Sequence, residues 1–304
     1  MAAKYLQHKD IDKEAWDAAI SKAHNGNLYG YSWYLDIVCP HWDALVGTDY
    51  KNIFPLTANK KFGFNYLFRP LLSQQLGLFS ISSQEKESLL DFLEAIPPKY
   101  RLTQYCLNKS NTPPAKYAPV FHKTFELDLS SSYEVLKSGY SENHKRNLKK
   151  EKKSEGSIFE EISKKEFIQL LLNDTSPGSK ILSSKTNILI LEKLIDRMLE
   201  GNAGKIIGKK NGEGKLVSAV LFGNSHNTWY YLAPVNSEEG KAGRAVFGII
   251  DYLINSRAGR EETLDFEGSD IPGLAKFYSG FGACDVIYPE IRINKLPWPI
   301  KYLK

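Results

Sequence analysis

The residues best suited to chemistry lie near the C-terminus, in Leu264-Asp265-Phe266-Glu267-Gly268-Ser269-Asp270. The apolar start reads as a buried strand, and the end supplies a carboxylate, a glycine and a hydroxyl. Glu267 and Ser269, at such a strand end, would border a cleft. The Glu267 carboxylate can take a proton there from an incoming ammonium group. Asp265 alternates to the same side of the strand and is the weaker candidate. The plainer reading of Glu267 is a strand-end carboxylate paired with a nearby Lys or Arg. Tyr278 sits on the short helix that follows, and its plainer reading is an aromatic packed at a domain edge.

Three other groups of residues carry potential. The run Ser141–Lys153 holds six Lys or Arg, with Leu148 as its one large apolar residue. It reads either as a solvated helix or as a basic helix that holds phosphate, through Lys145–Lys153. Arg146 and Asn147, beside Leu148, are the expected inward pair. Gly240-Lys241-Ala242-Gly243-Arg244-Ala245 reads as a glycine turn that opens a helix, a place where backbone N–H groups can face an anion. In the first half, Phe68-Arg69-Pro70 and Gln74-Gln75 suggest a polar pocket for an acceptor, with Arg69 buried. Asn27, Tyr31 and Trp33 would line the same place.

Bulk properties exclude several classes. A chain of 304 residues, 42% hydrophobic and 25% charged, is ordinary globular material with room for two cores. No apolar run approaches the roughly 18–20 residues needed to cross a bilayer, and the polar N-terminus argues against a signal peptide. Three scattered cysteines imply reduced thiols and a cytoplasmic protein. The net charge of +5 permits a phosphate-bearing partner without demanding one. The six histidines show neither His-Glu-x-x-His nor a Cys-x-x-Cys companion, and Cys39-Pro40-His41 is a poor site, so no metal is expected.

The second half is periodic enough to order. A strand over Ser157–Ile162 leads to a helix opened by a capping box, Ser163 with Glu166. A helix over Lys185–Leu199 follows, then strands over Gly204–Lys209, Lys215–Phe222 and Thr228–Ala233, and a helix carrying Val246, Ile249, Ile250, Leu253 and Ile254. The strand Thr263–Glu267, the helix Leu274–Gly280 and a strand over Val286–Ile293 complete it. The first half shows a helix capped by Asp12, a helix over Ser32–Val38, and strands over Ala44–Gly47, Asn52–Leu56 and Phe62–Phe68. Beyond these come a second capping box at Ser82 and Glu85, then strands over Arg101–Leu107 and Lys123–Leu129. Turn residues over Asn108–Ser132 mark the join, which gives domains of 1–125 and 126–304.

The order β-α-α-β-β-β-α-β-α-β, with Asp265-Phe266-Glu267-Gly268 and Phe277 to Phe281-Gly282, resembles the GNAT fold, and within it the FemAB-like peptidyltransferases. The resemblance covers roughly 140–290 closely and the first half more loosely. It implies a mixed α/β fold of two tandem GNAT-like domains and transfer of an acyl or aminoacyl group to a small-molecule or peptide amine. It also implies an acyl-CoA or aminoacyl-tRNA donor. The donor would lie against the backbone of Tyr231 and Ala233 and the loop Gly240, Gly243, Arg244 and Ala245, although Gly240 stands where coenzyme A binders carry Arg or Gln. Tyr278, four residues before Gly282, takes the place of the tyrosine that protonates the departing thiolate in GNAT enzymes. FemAB-like proteins carry Lys there and a basic segment where Ser141–Lys153 lies. Two rival readings follow: an aminoacyl-tRNA-dependent peptidyltransferase, and a non-catalytic protein that kept the fold.

Overall fold

The computed structural model describes residues 3–82, 89–152, 158–268, 270–298 and 301. The chain forms two compact units: Met1–Lys123 with Ile287–Lys304, and Thr124–Val286. The join falls beside the expected one, but the C-terminal strand and tail belong to the first unit rather than the second.

Unit 1 opens with β1 (Lys4–Leu6), α1 (Lys13–Lys22) and α2 (Ser32–Val38). Asp12 caps α1 by accepting the Ala15 N–H, as its position before the apolar periodicity requires. Strands β2 (Asp43–Val46), β3 (Asn52–Leu56), β4 (Ala58–Lys61), β5 (Phe64–Leu67), β6 (Phe79–Ser80) and β7 (Tyr100–Cys106) follow, with α3 (Leu89–Glu94) before β7. One sheet runs β1-β2-β3-β6, while β4, β5 and β7 are neighbours in another. The capping box expected at Ser82 and Glu85 lies outside the described residues.

β8 (Val120–Asp128) carries the chain into unit 2, where α4 (Tyr133–Ser138) and α5 (Glu142–Glu151) precede β9 (Ile158–Glu161). Next come α6 (Lys164–Asn173), α7 (Pro177–Leu182), α8 (Lys185–Glu200), β10 (Gly204–Lys210), β11 (Leu216–Ser225) and β12 (Thr228–Asn236). The unit ends through α9 (Glu238–Ala242), α10 (Ala245–Arg257), β13 (Thr263–Asp265) and α11 (Pro272–Ser279). The strand order is β8-β13-β12-β11-β10-β9, with β12 and β13 parallel and the other pairs antiparallel. β14 (Cys284–Asn294) then returns to unit 1 and pairs antiparallel with β7. Within unit 2 the sequence reading did not include α4, α7 or α9; α7 and α9 are each a short turn of helix introduced by a capping serine, Ser176 or Ser237.

Residues Val217–Phe222 of β11 are buried without alternation because helices cover both faces. Phe222 and Val220 join Ile249, Ile250, Leu253 and Ile254 of α10 in one core. α6 and α8 pack against β11 and β10, and the Ser163–Glu166 capping box starts α6 as expected. Leu191, Leu194, Ile195 and Met198 form the buried stripe of α8, each worth about 1.5–3 kcal/mol of burial.

The inward face of α5 differs from expectation. Arg146 is exposed and Asn147 only half-buried; His144, Leu148 and Glu151 point inward. Those three recur at helical spacing, which outweighs mere adjacency to Leu148. Glu151 meets Lys209 of β10 in an ion pair whose side chains are each 3% exposed. A Cβ on Gly248 of α10 would come within 2.7 Å of the Glu151 carboxyl carbon, so only glycine fits. His144 Nε2 lies 2.8 Å from the Phe277 carbonyl oxygen and Nδ1 lies 2.9 Å from Ser141 Oγ. The carbonyl can only accept, so Nε2 carries the proton and Nδ1 accepts from the serine. The ring fills the space over Gly280, where a Cβ would stand 2.0 Å from it.

Two outcomes follow from these contacts. Glu151→Gln leaves the Lys209 ammonium buried without its counter-charge and destabilises by about 3–5 kcal/mol. The double replacement of Glu151 and Lys209 by Met costs less than either single change, as denaturant unfolding will show. Burial lowers the His144 pKa in the folded chain, partly offset by its bond to Phe277. The unfolded chain therefore binds the extra proton first. Stability is intact above about pH 6.5 and falls on acidification below it, by at most about 1.4 kcal/mol per pH unit for this one group. Melting curves of His144→Gln between pH 7.5 and 5.5 should show a shallower fall than those of the parent.

Candidate active site

β13 is short because its last residue is tied sideways. β12 and β13 pair from Thr228 with Thr263 to Tyr230 with Asp265, and there the pairing stops while β12 runs on. The buried Asp265 carboxylate accepts the Thr124 hydroxyl at 2.5 Å and the Glu267 N–H at 2.9 Å. Phe266 N–H turns to the Phe125 carbonyl at 2.9 Å. Glu267 then adopts φ 60° and Gly268 φ 40°. Left-handed backbone is uncommon for glutamate and marks a position held by its surroundings. The strand ends two residues before Glu267, so strand alternation does not govern where its side chain goes. Asp265 is an anchor rather than a second base.

Glu267 as a residue is only half-buried, yet its Oε1 is shut from solvent and has no hydrogen-bond partner among the described residues. Burial holds its pKa well above the usual carboxylate range. The Lys or Arg partner of the plainer reading is therefore not found at that oxygen. Tyr278 of α11 lies close by: its pKa is pushed up to about 12, first by burial and then by the charges of Glu267 and Asp265. Aromatic rings fix it. Phe266 stacks on it at 5.2 Å between centroids, while Phe125 and Tyr231 approach to 6.0 and 6.1 Å. Burial likewise keeps the Tyr231 phenol neutral. Ser269 lies outside the described residues.

The backbone of β12 changes register beside this cluster. Leu221 faces Ala233 and Phe222 faces Tyr231, so Leu232 is an extra residue, a β-bulge. The Tyr231–Ala233 peptides thus lie just beyond the last pair with β13. Trp229, on the Tyr231 face, is held by Glu262 at 2.9 Å and by the Arg257 guanidinium over its ring.

The glycine loop has other commitments. Gly240 packs on β11, where a Cβ would meet the Val217 carbonyl oxygen at 2.1 Å. The N–H groups of Gly240, Lys241, Gly243 and Arg244 donate to Ser237 Oγ, Ser237 O, Glu239 O and Lys241 O. Arg244 is exposed with φ 62°, and Ala245 is buried at the start of α10. A groove of about 720 Å³ borders Gly240 and Gly243, but Glu213 and Glu239 line it beside Lys150. With four of its amides engaged internally and two carboxylates on the groove wall, the loop is a poor setting for the pyrophosphate of coenzyme A.

The acceptor-side candidates all belong to unit 1. Arg69 is exposed, not buried as expected, because Phe68 and Arg69 follow the end of β5. Gln74 and Gln75 are buried but occupied with each other: Gln75 Nε2 donates to Gln74 Oε1 at 2.8 Å, and its Oε1 accepts the Lys109 N–H. Asn27 donates to the Gln75 carbonyl and is likewise engaged. Tyr31 and Trp33 are half-buried with rings stacked at 6.4 Å. The structure thus brings Glu267, Tyr278 and Tyr231 together and gives the glutamines a structural role. Sequence reasoning missed His144, Glu151 and Thr124. The spacing of His144, Leu148 and Glu151 was a usable signal for the first two; Thr124 had none.

No family model matches the chain, and no curated protein matches it. Solved structures do. FemX superposes with a TM-score of 0.69 at 13% identity, covering 95% of this chain and 97% of FemX. The C-terminal domain of a putative lysylphosphatidylglycerol synthetase from Agrobacterium fabrum gives 0.59 at 10% identity, over 95% and 93%. L-PGS from Bacillus licheniformis gives 0.57 at 12% identity, over 95% and 94%. Identities this low speak to fold and not to substrate. In fold, then, this chain is similar to FemX and to these two synthetase structures along nearly its whole length.

Proposed function

We propose that the chain transfers an aminoacyl group, or a related acyl group, to an amine by direct attack. The observation that carries this reading is the unpaired, solvent-excluded Glu267 oxygen beside Tyr278, at the point where β12 and β13 part. The amine nitrogen attacks the donor carbonyl carbon and its surplus proton passes to Glu267. A carboxylate with a raised pKa is a better base near neutrality than an ordinary one. Backbone N–H groups at the Leu232 bulge stabilise the oxyanion. As the bond to the leaving group breaks, Tyr278, neutral below about pH 12, gives it a proton. Proton return from Glu267 to Tyr278 through solvent resets the site.

The engaged amides of the glycine loop favour aminoacyl-tRNA over coenzyme A as donor. The exposed Lys149 and Lys150 of α5 suit a phosphate backbone. Lys153 lies outside the described residues.

Glu267→Gln and Tyr278→Phe should each lower kcat by roughly 10²–10⁴ while the fold persists, measured with purified aminoacyl-tRNA and a panel of amines. Undiminished turnover in both variants sinks the mechanism. Parental kcat/KM should rise with pH through a value above the ordinary carboxylate range, and Glu267→Gln should lose that limb. Removing Lys149 and Lys150 should weaken tRNA binding and reduce its salt slope by about 1 per residue. Millimolar coenzyme A should leave the melting midpoint unmoved; a saturable rise would restore coenzyme A as the donor.

A further inference from the structure

Unit 1 holds a side-chain cluster that the transfer reaction does not use. Cys106 ends β7, His122 lies in the unit 1 part of β8, and Glu290 lies in β14. Glu290 is the direct cross-strand partner of Cys106. Cys106 Sγ stands 3.6 Å from Glu290 Oε2, and His122 Nε2 stands 3.4 Å from the same oxygen. All three ligand atoms lie within 4.8 Å of one another. Cys106 is buried, while the His122 and Glu290 side chains keep partial access, 23% and 19%.

We propose that Cys106, His122 and Glu290 bind a divalent zinc-type cation, leaving one position open. Zinc sits ~2.3 Å from sulfur and ~2.0–2.2 Å from nitrogen and oxygen, so its tetrahedral ligands stand roughly 3.3–3.7 Å apart. The two separations to Glu290 already match, and the sulfur and imidazole, within 4.8 Å of each other, need only side-chain rotation to close on a shared ion. One thiolate, one imidazole and one carboxylate form a donor set that zinc favours over magnesium or calcium. Gln104 Nε2 donates to Glu290 Oε1 at 3.1 Å and orients the carboxylate, and the Tyr288 ring packs against His122 at 5.6 Å. Burial pushes the Cys106 thiol up to about 12 although the Arg69 guanidinium stands beside the sulfur, so the cation must displace a firmly held proton. Binding forms S–Zn, N–Zn and O–Zn bonds and releases the thiol proton to solvent, with no change of oxidation state.

No sequence motif announced this site, because its ligands come from three strands; Cys106 and Glu290 are 184 positions apart. The bound cation would pin the returning β14 to β7 and β8 within unit 1.

The test uses the full untagged chain, stripped with chelator and titrated with Co²⁺, with Zn²⁺ displacement and elemental analysis alongside. The expected result is one equivalent bound, with a near-ultraviolet thiolate-to-cobalt charge-transfer band. Cys106→Ala should abolish the band, and His122→Ala should weaken binding at least about tenfold, since even outer-shell changes reach that size. Glu290→Gln, nearly isosteric, should do the same with the fold intact and decides the matter if the other variants unfold. Absence of metal from the parent chain overturns the proposal. So does stoichiometric binding that survives all three changes.

Discussion

Asp265 is the constraint on which unit 2 turns. Its carboxylate accepts from Thr124 on the neighbouring strand and from the Glu267 backbone two residues on. Ending β13 there does two things. It lets β12 continue alone past its last parallel partner, and it forces Glu267 into a left-handed conformation. A longer β13 would have continued the ladder with β12, and Glu267 would have alternated into an ordinary strand-side position. The aromatic wall of Phe125, Phe266 and Tyr278 forms around this bend and keeps water from one carboxylate oxygen. A buried hydrogen-bonded acid thus holds a second acid in an environment unfavourable to its charge.

The sequence revealed most of the second unit, for a physical reason. Its helices carry continuous apolar stripes, as in Leu191, Leu194, Ile195 and Met198, and its caps are local, as in Ser163 with Glu166. Such signals need no knowledge of distant residues. Glu267 and Tyr278 were singled out because the local motif resembles a known fold. What stayed hidden depends on distant partners. Nothing near Gln74 and Gln75 shows that Lys109 and Asn27 satisfy them. Nothing near Glu151 shows that Lys209 waits across the core. The inward face of α5 lay between these extremes: its helical spacing was present, but the dense run of cations drew attention to charge rather than period.

Helix α5 illustrates how one segment serves two solvents. His144, Leu148 and Glu151 bind it to α10, α11 and β10, while Arg146, Lys149 and Lys150 face water. The histidine is neutral and pinned at both nitrogens, so it acts as a spacer between α5 and Gly280. The cations outside are therefore presented from a rigid helix, and rigidity reduces the ordering cost of meeting a polyanion.

Unit 1 is closed by a strand that the chain reaches only after completing all of unit 2. During synthesis Thr124–Val286 is contiguous and can fold as it leaves the ribosome, whereas β7 waits with one edge unpaired until Cys284–Asn294 arrives. An open β edge in a half-made domain invites pairing with the wrong chain. Chains lacking Cys284–Asn294 would therefore carry a contiguous second unit beside a first one whose β7 edge stays open.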